Sequence, residues 1–125
     1  MLDQEQDKDW AKNRHIELFN RFCDLVVNHY RESREVKYYA DQLSLTPKYL
    51  SKVIRETTGG ISPSEWIEQY VTAQAKHLIE SHATPTLQET AYELGFYEPT
   101  AFYRYFKRVT GMTAKEYRDS RNKSN

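Results

Sequence analysis

The sequence predicts an all-helical protein of about seven helices, built as two similar halves joined by one long helix. Three observations lead there. Apolar residues recur at helical period along most of the chain, four helix starts are written out in capping residues, and one block of sequence occurs twice. With four glycines and four prolines in 125 residues, the turns between helices must be short.

The first ten residues are acidic, with Asp3, Glu5, Asp7 and Asp9 against Lys8, so residues 1–11 read as a linker or a disordered N-terminus. From about 12 to 31 the residues Ile16, Phe19, Cys23, Val26, Val27 and Tyr30 fall on one stripe and predict an amphipathic helix. Cys23 lies on that stripe, where a free cysteine acts as a small core side chain. Thr46-Pro47 supplies an N-cap followed by proline at the first helical position, and so starts another helix. Ser62-Pro63-Ser64-Glu65 adds the glutamate of a capping box and opens a long helix to about Ser81, with Trp66, Ile67, Tyr70, Val71, Ala75, Leu78 and Ile79 as its apolar face. Thr86-Leu87-Gln88-Glu89 and Thr113-Ala114-Lys115-Glu116 repeat the box, and the polar residues 120–125 read as a disordered tail.

The repeat carries the functional argument. Ala40, Leu43, Ser44 and Leu45 match Ala91, Leu94, Gly95 and Phe96. Farther on, Pro47, Leu50, Lys52, Ile54, Arg55, Thr58 and Gly59 match Pro99, Phe102, Arg104, Phe106, Lys107, Thr110 and Gly111, so the second copy has one extra turn residue near Tyr97. Each copy reads as a short helix, a tight turn, a second helix with a proline start, and a glycine stop. Ala40 and Ala91 sit four residues before the turn, where steeply crossing helices need a small side chain, which is helix-turn-helix logic. The domains expected are 12–81, the first unit with the linker helix, and 82–119, the second unit. Leu43, Leu45, Leu50, Val53 and Ile54 should form the first core, and Leu94, Phe96, Phe102, Tyr105 and Phe106 the second.

After the core is assigned, the outer face of each second helix remains. It shows Lys48, Ser51, Lys52 and Arg55 in the first unit, and Thr100, Tyr103, Arg104 and Lys107 in the second. These are hydrogen-bond donors. A helix entering the major groove uses its first turns on base edges and its flanks on phosphates. Charge agrees: residues 99–125 hold seven basic against two acidic side chains, although the whole chain has no net charge. The linker helix, at ~1.5 Å per residue, would span ~30 Å, close to the ~34 Å separating successive major grooves on one DNA face.

The segments Leu45 to Lys52, Ala73 to Ile79, Ala91 to Phe96, Phe102 to Gly111, and Glu116-Tyr117-Arg118 resemble the DNA-binding domain of AraC/XylS-type transcriptional regulators. The resemblance covers about residues 33–119. It implies a bacterial, cytoplasmic regulator that inserts two recognition helices, about 47–57 and 99–109, into adjacent major grooves of double-stranded promoter DNA. By resemblance Lys48, Ser51 and Lys52 are the base-reading candidates of the first unit, and Thr100, Tyr103 and Arg104 those of the second. Thr46 is a candidate phosphate contact by the same resemblance, joined by Arg55 and Lys107. The family also implies RNA polymerase as a partner, often as the target of an activator, and an effector-binding or dimerisation domain ahead of these helices. Four positions depart from the family pattern: Lys52, Ile54, Glu98 and Ala114 stand where arginine, phenylalanine, a serine or aspartate cap, and proline are common. Lys52 lacks the bidentate fork of arginine, and Glu98 is a weaker cap.

Other functional classes find little support. No Gly-rich phosphate loop or His-Glu-x-x-His occurs, and His15, His29, His77 and His82 lack ligand spacing, so neither a catalytic residue nor a metal or cofactor is expected. Ser120 and Lys123 match a Ser-x-x-Lys pattern only within the polar tail. A lone cysteine suits a reducing, cytoplasmic setting, and no apolar stretch approaches the ~18 residues of a membrane span. The rival reading is a helical protein-interaction module using exposed aromatics such as Tyr103 and Tyr38 or Tyr39.

Overall fold

The computed structural model describes residues 4–123. They form α1 (Gln4–His29), α2 (Val36–Gln42), α3 (Pro47–Thr58), α4 (Pro63–Glu80), α5 (Leu87–Glu93), α6 (Pro99–Thr110) and α7 (Ala114–Lys123), with no strand among them. None of these helices is long and apolar enough to cross a membrane.

The four capping predictions hold in atomic detail. Thr46, Ser62, Thr86 and Thr113 each accept, through the side-chain oxygen, the N–H of the residue three positions on, at 2.9 to 3.1 Å. Glu98, the weak cap, makes no side-chain cap bond at the start of α6. Both α3 and α6 stop at a glycine in the left-handed region, Gly59 at φ 80° and Gly111 at φ 85°.

Helix α1 differs from expectation at its start and in its buried face. It begins at Gln4, so residues 4–11 continue the helix instead of forming a linker; residues 1–3 lie outside the described region. An acidic first turn suits a helix N-terminus through the macrodipole, a use of Asp and Glu that composition alone reads as a linker. The buried line is Leu18, Phe22, Val26 and Tyr30, whereas Ile16 and Val27 are 41% and 50% exposed. At ~100° per residue the true stripe is rotated by about 70° from the predicted one. Apolar residues surround much of this helix, so periodicity alone does not define a sharp face. At the other end α7 continues through Lys123, so residues 120–123 are helical where a tail was expected, and 124–125 lie outside the described region.

Two compact units result. The first comprises the chain up to His29 together with Arg34–Trp66, and the second comprises Tyr30–Ser33 and the chain from Ile67 on. The division thus falls within α4, after its first turn, and not near residue 81. In the first unit Phe22 meets the fully buried Tyr39 edge-on at 5.9 Å, and Leu50, Val53 and Ile54 of α3 are completely buried. Trp66 lies edge-on to Phe19 at 5.0 Å, and both tryptophans of the chain belong to this unit. In the second unit Phe102 and Phe106 are fully buried, Phe96 packs on Phe102 and Tyr105, and Tyr117 of α7 packs on Phe106. Ile67, Val71, Ala75 and Ile79, spaced four apart, give α4 its buried line. The remaining thiol, Cys23, is pushed up to about 11 by burial and then by Asp24, which keeps it protonated and inert at neutral pH.

Candidate nucleic-acid interface

The two halves repeat bond for bond. Leu45 donates its N–H to the Ala40 carbonyl at 2.9 Å, and Phe96 donates to Ala91 at 3.0 Å. Ser44 donates to Asp41 and Gly95 to Tyr92, both at 3.0 Å. Near the helix ends Thr58 Oγ1 donates to the Ile54 carbonyl and Thr110 Oγ1 to Phe106, both at 2.7 Å. Ala40 and Ala91 are fully buried beneath the turns, as a close crossing of helices demands.

At the turn itself the copies part. Ser44 holds the left-handed conformation at φ 59° despite its Cβ, while Gly95 adopts φ 92° with no room for one. A Cβ on Gly95 would stand 2.1 Å from the Arg31 carbonyl oxygen, so backbone contact, beyond φ, excludes every other residue. Two residues on, Tyr97, the extra turn residue, is 98% exposed.

The turns present α3 and α6 with one face buried and the other in solvent. Lys48, Lys52, Thr100, Arg104 and Lys107 are exposed. Tyr103 is 37% exposed, its ring tilted against Phe102 at 5.8 Å. Ser51 is half-buried and accepts from Arg55 Nε at 3.3 Å, while Arg55 Nη1 donates to the Gly60 carbonyl at 3.2 Å. Arg55 and Ser51 are therefore tied to each other and to the end of α3, which leaves Arg55 less reach than a free phosphate anchor. Thr46 is exposed, and its oxygen is used as a cap acceptor while its O–H proton stays available to donate.

Electrostatics separate these side chains from three arginines of the C-terminal third. Arg108 pairs with Glu68 at 3.0 Å, Arg121 with Glu80 at 3.0 Å, and Arg118 lies 3.6 Å from Asp119. Tyr117 also donates to Glu80, and burial followed by that bond raises its pKa. Arg104 and Lys107, with Lys48 and Lys52 in the first unit, form no ion pair among the described residues. On the outer faces of α3 and α6 these four cations therefore stand without acid partners, as Lys12, Arg21 and Lys115 do elsewhere among the described residues.

Sequence reasoning passed over one acid. Glu56 belongs to α3, but its carboxylate is drawn aside to His15 of α1 at 3.0 Å, so the outer face keeps its basic character. The aromatic side chains proposed for a protein-interaction surface fare differently: Tyr39 is fully buried and Tyr38 half-buried. No group of three or more His, Cys, Asp or Glu is placed to hold a metal among the described residues.

A family model described as a helix-turn-helix domain matches residues 39–120. The HTH-type transcriptional activator RhaS of Escherichia fergusonii is 25% identical over 105 residues, 84% of this chain and 37% of that protein. The arabinose operon regulatory protein of Salmonella typhimurium is 30% identical over 97 residues, 77% of this chain and 34% of that protein. The chain therefore spans about a third of the length of these curated relatives. Among solved structures, the C-terminal domain of AraT, a response regulator from Geobacillus stearothermophilus, superposes with a TM-score of 0.72 at 23% identity, covering 82% of this chain and 84% of that one, a likeness of fold. The family match over most of the chain, agreeing with two bond-matched helical turns and second helices that both stop at a left-handed glycine, shows that this chain belongs to the AraC-type helix-turn-helix family of transcriptional regulators.

Proposed function

We propose that the chain reads promoter DNA with two recognition helices, α3 and α6, placed in adjacent major grooves. One observation carries this reading: the matched outer faces of these two helices hold Lys48, Lys52, Arg104 and Lys107, all exposed and in no ion pair among the described residues, with Glu56 of α3 drawn aside to His15. Lys48, Ser51 and Lys52 read bases for the first unit, and Thr100, Tyr103 and Arg104 for the second. The Arg104 guanidinium can fork onto the O6 and N7 of guanine, which neither Lys48 nor Lys52 can do. Thr46 and Lys107 hold phosphates, and Arg55 does so after releasing Gly60. A chain of this kind works in the bacterial cytoplasm, with RNA polymerase as partner and an effector-binding or dimerisation domain supplied from elsewhere in the regulator. Its work is binding and not catalysis.

The test is a binding-site selection on random duplexes, followed by truncation of the selected site. Two contacts ~10 bp apart require a duplex of at least ~15 bp. Affinity should fall by orders of magnitude when the duplex is cut to a single groove, and log K should fall steeply with log salt. Undiminished binding to an 8-bp duplex means that one unit acts alone; absence of duplex binding leaves the protein-interaction reading in its place.

A further inference from the structure

Helix α1 grips the first recognition helix at a polar point. His15 Nδ1 lies 3.0 Å from Glu56 Oε2, and His15 Nε2 lies 3.5 Å from the Tyr49 hydroxyl, whose ring meets the imidazole edge-on at 6.2 Å. A carboxylate only accepts hydrogen bonds, so Nδ1 carries a proton toward Glu56, while Nε2 and the Tyr49 hydroxyl share the second contact. The imidazole is only 18% exposed, although both partners are substantially so. Next to it Ala11, Lys12, Ile16 and Thr57 border a cavity of about 420 Å³, so apolar packing alone does not fix α3 against α1 here.

The position of the two partners matters more than their strength. Tyr49 and Glu56 are seven residues apart and lie within about 20° of one line along α3. From that line Lys52 is about 50° round the helix and Lys48 about 90°. A bond from α1 to two points on one line, two turns apart, opposes rotation of α3 about its own axis. Such rotation would swing Lys48 and Lys52 off the bases they face.

We propose that His15 is a positioning residue for sequence readout by the first unit, holding the roll of α3 through Tyr49 and Glu56. The inference rests on the two-groove reading above. Its test measures base preference across the selected site for the wild type, His15→Ala and His15→Gln, with thermal melting of each. His15→Ala should weaken specific binding about tenfold, on the scale of two lost hydrogen bonds. The loss should flatten base preference only in the half-site read by the first unit. His15→Gln, whose amide can donate to Glu56 and accept from Tyr49, should restore most of that preference. Glu56→Ala, a change at a half-exposed carboxylate, serves if His15→Ala melts too early: it should lose the same preference while non-specific affinity holds or rises, an acid having left the helix. Retained half-site preference in His15→Ala, or loss in both half-sites in step with melting, overturns the inference. A wild type without sequence preference overturns the DNA reading and this inference together, whereas a wild type with preference in both halves isolates the question to His15.

Discussion

The two helix-turn-helix units share the hydrogen bonds of their turns but not their tolerances. In the first, the turn is held by Ser44, a residue that pays a conformational cost in the left-handed region while its side chain remains in solvent. In the second, Gly95 is pressed against the Arg31 carbonyl, yet the following helix starts without a side-chain cap at Glu98. Helix α3 is thus well capped behind a loose turn, and α6 is poorly capped behind a tight one. Identical topology can be secured by different residues at different points, so equivalent positions in a repeat need not have equivalent worth.

Gly95→Ala should give the largest effect. With 2.1 Å between the new Cβ and the Arg31 oxygen, backbone must move in the second unit, and a loss of ~3 kcal/mol or more in unfolding free energy is expected, measured by denaturant titration. Ser44→Gly, its counterpart, relieves the left-handed cost and should change stability by no more than ~1 kcal/mol, toward the stable side. Equal responses at both turns would dissolve the contrast.

Readout should differ next. Arg104→Ala should cost ~1 to 3 kcal/mol on the selected site and relax preference at one base pair, with unfolding unchanged because the side chain is exposed. Lys52→Ala should relax preference in the first half-site by a smaller amount, since an ammonium has no planar fork. Lys107→Ala should lower the salt slope by about one, whereas Arg55→Ala, which removes a side chain already bonded to Ser51 and Gly60, should lower it less. Capping provides the smallest pair. Thr46→Ala should destabilise by ~1 kcal/mol through loss of the bond to the Tyr49 N–H, and Glu98→Ser should stabilise by ~0.5 to 1 kcal/mol by creating the cap that α6 lacks. Thermal melting with each variant resolves both signs.

Much of this was legible in the sequence because the informative signals are local. Thr46, Ser62, Thr86 and Thr113 each satisfy a backbone N–H three residues away, so a cap can be recognised without knowing what the helix packs against. Core residues such as Leu50, Ile54, Phe102 and Phe106 were visible because a strongly two-faced helix has one way to turn. The face of α1 was misread for the opposite reason: Leu18 and Phe22 are central only because of what lies beside them, and apolar residues elsewhere on the helix compete with them. Likewise Arg55 and Ser51 read as free donors until their mutual bond was seen, and Glu56 was passed over because His15 is more than forty residues distant. The requirement for glycine at 95 came from Arg31, again far off in sequence. The base and phosphate contacts remain proposals, since partners in DNA leave no trace in either periodicity or caps.

The placement of the two tryptophans gives this protein a built-in spectroscopic partition. Trp10, 70% exposed, and Trp66, edge-on to Phe19, both belong to the first unit, so the emissive aromatics of the second are tyrosines alone. Indole emission therefore follows melting of the first unit, whereas backbone ellipticity follows both. Coincident midpoints from the two signals would mean one cooperative transition, and separated midpoints would mean that each unit keeps or loses its shape on its own. A single unlabelled sample thereby distinguishes a protein whose two units fail together from one that can lose the first and retain the second.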